Sequence, residues 1–183
     1  MADTTLVPNA SPDFVCRGRD MVLRSFQPGD EHAFRALNEQ WIAKYFRIED
    51  KDRETLNDPV GKILDHGGQI YLACIGGKPV GTCALIALEP VVYEVAKMTP
   101  GVYEVAKMAV EENYRGAGIG RAVLEYAVSE AAKLGAHRLY LETNNRLTNA
   151  IHLYESVGFR HLDPQRVKPS PYNRANVFME KLL

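Results

Sequence analysis

No stretch of this 183-residue chain approaches the roughly 18 consecutive apolar residues that a membrane-spanning helix needs. No membrane partner is therefore expected. Neither sign of charge predominates: 22 Lys and Arg face 23 Asp and Glu, for a formal net charge of −1. A protein that neutralises nucleic-acid phosphates carries a basic excess, so nucleic acid is not the expected partner. Cysteine is scarce: Cys16, Cys74 and Cys83 are an odd number at wide spacing, without a CxxC pair. That usage fits free thiols in a reducing, cytoplasmic setting. His32, His66, His137, His152 and His161 are scattered, and none sits at metal-ligand spacing, so no metal is expected. The opening residues MADTTLVPNASPDF have no basic start or apolar core, so no secretory leader is read there.

What is present is ordinary globular composition, 46% hydrophobic and 25% charged. This excludes a disordered chain, a collagen and a coiled coil. A chain of this length can bury about 70% of its unfolded surface in one domain. Residues 1–19 mix Pro, Ser, Asp and Gly without periodicity and read as a flexible tail. Residues 20–183 read as a single domain.

Along that domain, Met21–Phe26 predicts a strand and Asp30 a helix cap. Phe34, Leu37, Trp41 and Ile42 recur at helical spacing. Residues 47–53, RIEDKDR, form a charged break, with a second helix expected to run to about Leu64. Residues 69–75 and 79–88 read as a hairpin about Gly76-Gly77. A two-residue turn would set Ile75 opposite Lys78 and Cys83 opposite Ile70, leaving no disulfide between Cys74 and Cys83.

Residues 89–98, EPVVYEVAKM, and 99–108, TPGVYEVAKM, are identical at eight of ten positions. A solenoid needs at least three units, so this is a local tandem duplication (89–108). Either copy can form a strand, and the shared pattern leaves register open. The second copy is the expected working strand because it runs into the loop that follows. The first is expected as a loop or added strand near a sheet edge. An unpaired edge there would recruit a second chain, which makes a homodimer an expectation.

After the duplication come strand 102–110, loop 111–117 and helix 118–134, with Ile119, Val123, Ala127, Ala131 and Leu134 on one face. Strand 137–142, a helix over about 148–157 and a terminal strand pair at 159–162 and 176–182 complete a mixed α/β sheet.

The informative stretch is Met108-Ala-Val-Glu-Glu-Asn-Tyr-Arg-Gly-Ala-Gly-Ile-Gly-Arg121. A strand runs into a glycine-rich loop that opens an amphipathic helix. The first N–H groups of a helix lack intrahelical partners, and its dipole favours an anion there. Arg115 and Arg121 add formal charge at the rim. No GxxxxGK[ST] or GxGxxG run is present, which argues against a P-loop or a dinucleotide fold. A tight helix entry without a ligand is the alternative.

Arg115-Gly-Ala-Gly-Ile-Gly120 resembles the R/Q-x-x-G-x-G/A signature of the GNAT superfamily of acetyl-CoA-dependent N-acetyltransferases. Residues 103–110, YEVAKMAV, are similar to the strand before that signature. Ala150-Ile-His-Leu-Tyr-Glu-Ser-Val-Gly-Phe159 resembles the family's A-x-x-x-Y-x-x-x-G-F segment. The resemblance implies an α/β fold with a mixed, mostly antiparallel central sheet flanked by helices. A V-shaped split separates its two parallel strands, 102–110 and 137–142, and acetyl-CoA lies in the split. By the same resemblance, the pantetheine arm pairs with Met108, Ala109 and Val110. The pyrophosphate rests on Gly116, Ala117, Gly118, Ile119 and Gly120, with Arg115 and Arg121 nearby. The family's cofactor-contacting Asn falls at Leu147 here, and Asn149 is the nearest substitute.

The implied reaction is acetyl transfer to an amine by direct attack in a ternary complex. Glu104 stands where some members carry a catalytic carboxylate. A strand-edge charge in water is the other reading, and Glu94 of the first copy is a further candidate. Tyr154 matches the family's tyrosine acid, though Leu147, Ile151 and Tyr154 also share a helical face suited to packing. The first two helices wall the family's acceptor site, which implicates Tyr45 and Phe46, with Trp41 read as core packing. Arg47, Glu49 and Asp50 read as a solvated turn or as selectors of a charged acceptor. The acceptor stays open between a small amine and a peptide or protein amine. The alternative function is an acyl-CoA-binding sensor with little transferase activity, in which the added decapeptide fills the acceptor cleft.

Overall fold

A computed structural model describes residues 20–88 and 101–183. The tail at 1–19 and the first decapeptide copy, with Glu94, lie outside the described residues. One sheet of seven strands runs in the order β1-β2-β3-β4-β5-β7-β6. Its strands are β1 (Met21–Ser25), β2 (Gln69–Ile75), β3 (Lys78–Ala87), β4 (Val102–Val110), β5 (Arg138–Thr143), β6 (Arg160–His161) and β7 (Val177–Leu182). Every pairing is antiparallel except β4 with β5. The second copy of the decapeptide forms β4, as expected from its continuity with the loop.

Helices cover both faces, so β2 (QIYLACI) is buried almost throughout and reads as a near-continuous apolar run. On one face α1 (Glu31–Tyr45), α2 (Asp50–Asn57) and α3 (Pro59–Lys62) pack through Phe34, Ile42, Leu56 and Ile63 on Ile70 and Ala84. On the other, α4 (Ile119–Lys133) buries Ile119, Val123, Leu124, Ala127 and Ala131 against Tyr71, Leu85, Val105 and Leu139. Leu134, expected on that buried face, lies past the helix end and is exposed. The last helix, α5 (Thr148–Ser156), runs beside the start of α4.

Four local expectations are corrected. Asp30 precedes α1 but makes no side-chain cap. Its carboxylate instead takes a bidentate pair from Arg24 at 2.6 and 2.9 Å and the Gln27 N–H at 2.7 Å. The charged break expected at 47–53 is shorter than its span: it ends at Glu49, because α2 starts at Asp50, where Glu49 and Asp52 form a reciprocal capping box. The helix expected to reach Leu64 is interrupted at Asp58-Pro59, because the residue before proline is driven out of the helical region. The fourth correction is one of register: Cys83 pairs with Tyr71, not Ile70. A bulge between Ala73 and Cys74 shifts the ladder near Pro79, which has no N–H to donate. Cys74 and Cys83 are free and buried.

Gly68 enters β2 where no side chain fits. A Cβ there would stand 2.6 Å from the Leu85 carbonyl oxygen and 2.7 Å from Ile63 Cγ2. Gly68→Ala is expected to destabilise the fold by about 1–3 kcal/mol through overpacking, measured by urea or thermal unfolding.

Two features of β4 prepare the site. Its ladder with β5 covers only Val102–Glu104 against Arg138–Tyr140. Beyond Glu104 the two parallel strands part, and β4 keeps hydrogen-bonding only to β3. Between Thr82 and Ala84 the β3–β4 register slips, so one residue of β3 faces both Lys107 and Met108. At this bulge Lys107 takes φ +50, the one positive φ at a non-glycine among the described residues. A bulge inverts the alternation of side chains. Tyr103 and Val105 enter the α4 core before it, and Met108 and Val110 pack on that core after it. Lys107 is thereby turned to the α2 side, which Glu104 also faces.

Candidate active site

The parting strands open a cleft of about 660 Å³ that runs from the α4 N-terminus to α2. One end is the glycine loop. Gly116 and Gly118 have φ +76 and +85, values that a side chain resists. A Cβ at Gly120 would meet Met108 Cε at 3.4 Å and Leu153 Cδ2 at 3.5 Å, ordinary van der Waals contact, so this position is the more tolerant of the three. The first backbone hydrogen bond of α4 runs from Ala122 to Gly118 O. The N–H groups of Ile119, Gly120 and Arg121 therefore have no intrahelical partner. Arg115 ties the loop back through Nε to Val110 O at 3.2 Å, and Arg121 reaches Ser156 Oγ at 2.7 Å. Both guanidinium groups border the cleft.

Of the residues singled out from sequence, Glu104, Met108, Ala109, Val110, Arg115, Gly116, Gly118, Gly120, Arg121, Asn149, Tyr154, Tyr45 and Phe46 line this one cleft. Ala117 and Ile119 do not line it: Ala117 is an exposed loop residue, and the Ile119 side chain is core. Trp41 packs on the second core cluster as expected and also reaches the cleft, edge-on to Phe46 with centroids 6.3 Å apart. The Arg146 guanidinium lies 5.5 Å over the Phe46 ring.

Midway, Tyr154 on α5 is half-buried with its ring edge-on to Phe159, at 6.1 Å. Burial pushes its phenol pKa up, so it keeps its proton at neutral pH. Glu104 sits where β4 leaves β5 and has neither a hydrogen bond nor an ion pair among the described residues. Desolvation, reinforced by the charge of Glu142, raises its carboxyl pKa to about 7, against the opposing influence of Lys107 and Lys51.

Sequence reading missed the charged cluster beyond Glu104. Lys107 Nζ donates to Asp52 Oδ1 at 2.9 Å and to the Tyr172 hydroxyl at 3.0 Å. Arg174 grips the same Asp52 with two bonds, at 2.6 and 2.8 Å, and Glu49 at 3.0 Å. Burial raises the Asp52 pKa, but the bonds from Arg174 and the charge of Lys107 outweigh that and hold it below the ordinary range. Asp52, fully buried, lies 55 positions from Lys107 and 122 from Arg174, so no local motif signals the cluster. Glu49, read as part of a solvated turn, caps α2 and holds Arg174, whereas Asp50 is exposed.

A mixed sheet split at its one parallel pair, with a glycine cradle at one end and an unpaired carboxyl in the middle, defines an acyl-transferase type of architecture. The chain matches the model of the acetyltransferase (GNAT) family over residues 31–159. It is 35% identical over 86 residues to the ribosomal protein bS18-alanine N-acetyltransferase of Escherichia coli K12, covering 47% of this chain and 53% of that one. The chain thus spans about half the length of the curated relatives it matches. A GNAT-family acetyltransferase of Staphylococcus aureus superposes with a TM-score of 0.75 at 20% identity, over 88% of this chain and 98% of the other. A putative acetyltransferase of Salmonella typhimurium, solved with its cofactor acetyl-CoA, superposes at 0.65 and 19% identity, over 88% and 93%. The chain belongs to the GNAT acetyltransferase family. No helix among the described residues is long and apolar enough to cross a membrane.

Proposed function

We propose that the protein is an N-acetyltransferase that moves an acetyl group from acetyl-CoA to an amine by direct attack. Glu104 carries this reading: an unpaired carboxyl with a pKa raised to about 7, set in a cleft that continues onto free helix N–H groups. The residues present fit the donor. The N–H groups of α4, with Arg115 and Arg121, would take the pyrophosphate. The edge of β4 from Met108 to Val110, unpaired toward β5, would take the amide-bearing arm. Bound there, acetyl-CoA supplies an activated acyl carbon and a thiolate leaving group.

The chain's own contribution is proton transfer. An alkyl amine, pKa about 10.4, is almost wholly protonated at neutral pH and cannot attack. Glu104, half ionised near pH 7, accepts that proton directly or through a water. Tyr154, held neutral by burial, gives a proton to the departing sulfur. Tyr45, Phe46 and Trp41 wall the acceptor end and limit water there. The sensor alternative turns on the first decapeptide copy, which lies outside the described residues. The free, buried Cys74 and Cys83 support a reducing, cytoplasmic setting.

Titration calorimetry with acetyl-CoA, followed by amine-dependent thiol release, tests the reading; absence of acetyl-CoA binding overturns it. Tyr154→Phe is expected to lower kcat about ten- to a hundredfold with unchanged acetyl-CoA affinity. The effect sits at the low end of proton-transfer catalysis because a thiol of pKa about 8.5 leaves readily.

A further inference from the structure

The acceptor end of the cleft has a one-sided supply of hydrogen-bonding groups. Its cations are already engaged: Lys107 and Arg174 on Asp52, and Arg146 on the Phe46 ring and the Tyr45 carbonyl. Two carboxylates remain without a cation among the described residues. Among these residues Glu104 has neither a hydrogen bond nor an ion pair, and feels Lys107 and Lys51 only at a distance. Glu142 accepts only from neutral hydroxyls, those of Tyr140 at 3.1 Å and of Ser170. Glu104 stands opposite Tyr140 in register, and Glu142 lies two residues further along β5 on the same face. The two carboxylates are therefore separated along the strand by roughly 6–7 Å. Both line the cleft.

Carboxylates only accept, so an acceptor that satisfies both must bring a donor to each. One is its reacting amine, at Glu104. A free amino acid brings a carboxylate to the second position and would set an acceptor against an acceptor, a repulsion that excludes as effectively as attraction selects. A peptide N-terminus brings a carbonyl oxygen and one neutral amide N–H, a weaker donor than a charged one. A second ammonium a few carbons from the first meets the requirement. Building on the transferase reading, we propose that the acceptor is a short aliphatic diamine or polyamine, and that Glu142 determines this specificity by holding the ammonium that does not react.

The test measures kcat/KM with diaminobutane, butylamine, alanine and alaninamide, with acetyl-CoA binding titrated separately. Diaminobutane is expected to exceed butylamine about tenfold and alanine and alaninamide by more, the scale of one charge-assisted contact. Glu142→Gln is expected to raise the KM for diaminobutane about tenfold and bring the ratio to butylamine near unity. It also moves the acidic limb of the pH–rate profile to lower pH. Glu142 is the negative neighbour that raises Glu104, whereas Lys107 and Lys51 lower it, and Tyr140 and Tyr172 stay neutral. Glu142→Asp keeps the charge on a shorter arm and is expected to favour diaminopentane, with a melting curve confirming that each variant folds. Alanine or alaninamide matching diaminobutane, or a ratio unmoved in Glu142→Gln, overturns the acceptor class while leaving the transferase reading standing. No acetyl-CoA binding overturns both.

Discussion

Glu104→Gln is expected to lower kcat by about 10²–10⁴-fold while acetyl-CoA binds as before. Gln keeps the shape of the side chain and cannot take a proton. The parent rate should rise with pH through about 7, where the Glu104 carboxyl loses its proton, and the variant should lose that limb. The same residue has an opposite effect on stability. Its folded pKa is raised above the ordinary carboxylate value of 4.5. Between 4.5 and 7 the unfolded chain therefore holds fewer protons at this group than the folded one, and stability falls as pH rises. Glu104→Gln removes that cost, so at pH 8 it should melt above the parent although it is nearly inactive. A variant that melts lower and turns over normally would show Glu104 to be a solvated strand charge.

The largest effect on stability is expected from Asp52→Ala. Asp52 is fully buried, pairs with Lys107 and Arg174 at once, and closes the capping box of α2. Its removal leaves two cations facing each other in a desolvated space. Breaking a buried pair from one side costs about 3–5 kcal/mol, enough to drop the melting midpoint by many degrees. Lys107→Met should be milder, since Arg174 still neutralises Asp52 and the remaining strain is one residue at φ +50. The order of the two melting temperatures checks this account. The depressed Asp52 pKa adds a pH signature. Its contribution is present above about pH 4, the unfolded value, and is lost as pH falls through the lower folded value. The difference between parent and Asp52→Ala should therefore shrink on acidification.

Tyr45 and Phe46 follow from the end of a helical period, and Glu104 from its place in a strand that runs into the glycine loop. Asp30 and Glu49 show where local rules fell short. Asp30 has the right type and position for a cap but is taken by Arg24, a residue of the preceding strand. Glu49 looked solvated because a charge run usually is, yet Arg174 meets it from 125 positions away. The Cys83 pairing failed by one residue, because one bulged position shifts every pair beyond it.

The glycine loop, the helix it opens, the succession of strands along the chain and the choice of the second decapeptide copy as β4 were all determined by the sequence alone. Each depends on periodicity, capping or turn chemistry within a few residues. Only the tertiary structure decided which way Lys107 faces. Strict alternation puts it with Tyr103 and Val105 in the α4 core, and the bulge against β3 turns it to Asp52. The same holds for the isolation of Glu104 and the environment of Glu142. Each depends on where β4 and β5 separate and on the cleft there, which α1, α2 and the segment around Tyr172, elements far apart along the chain, border together.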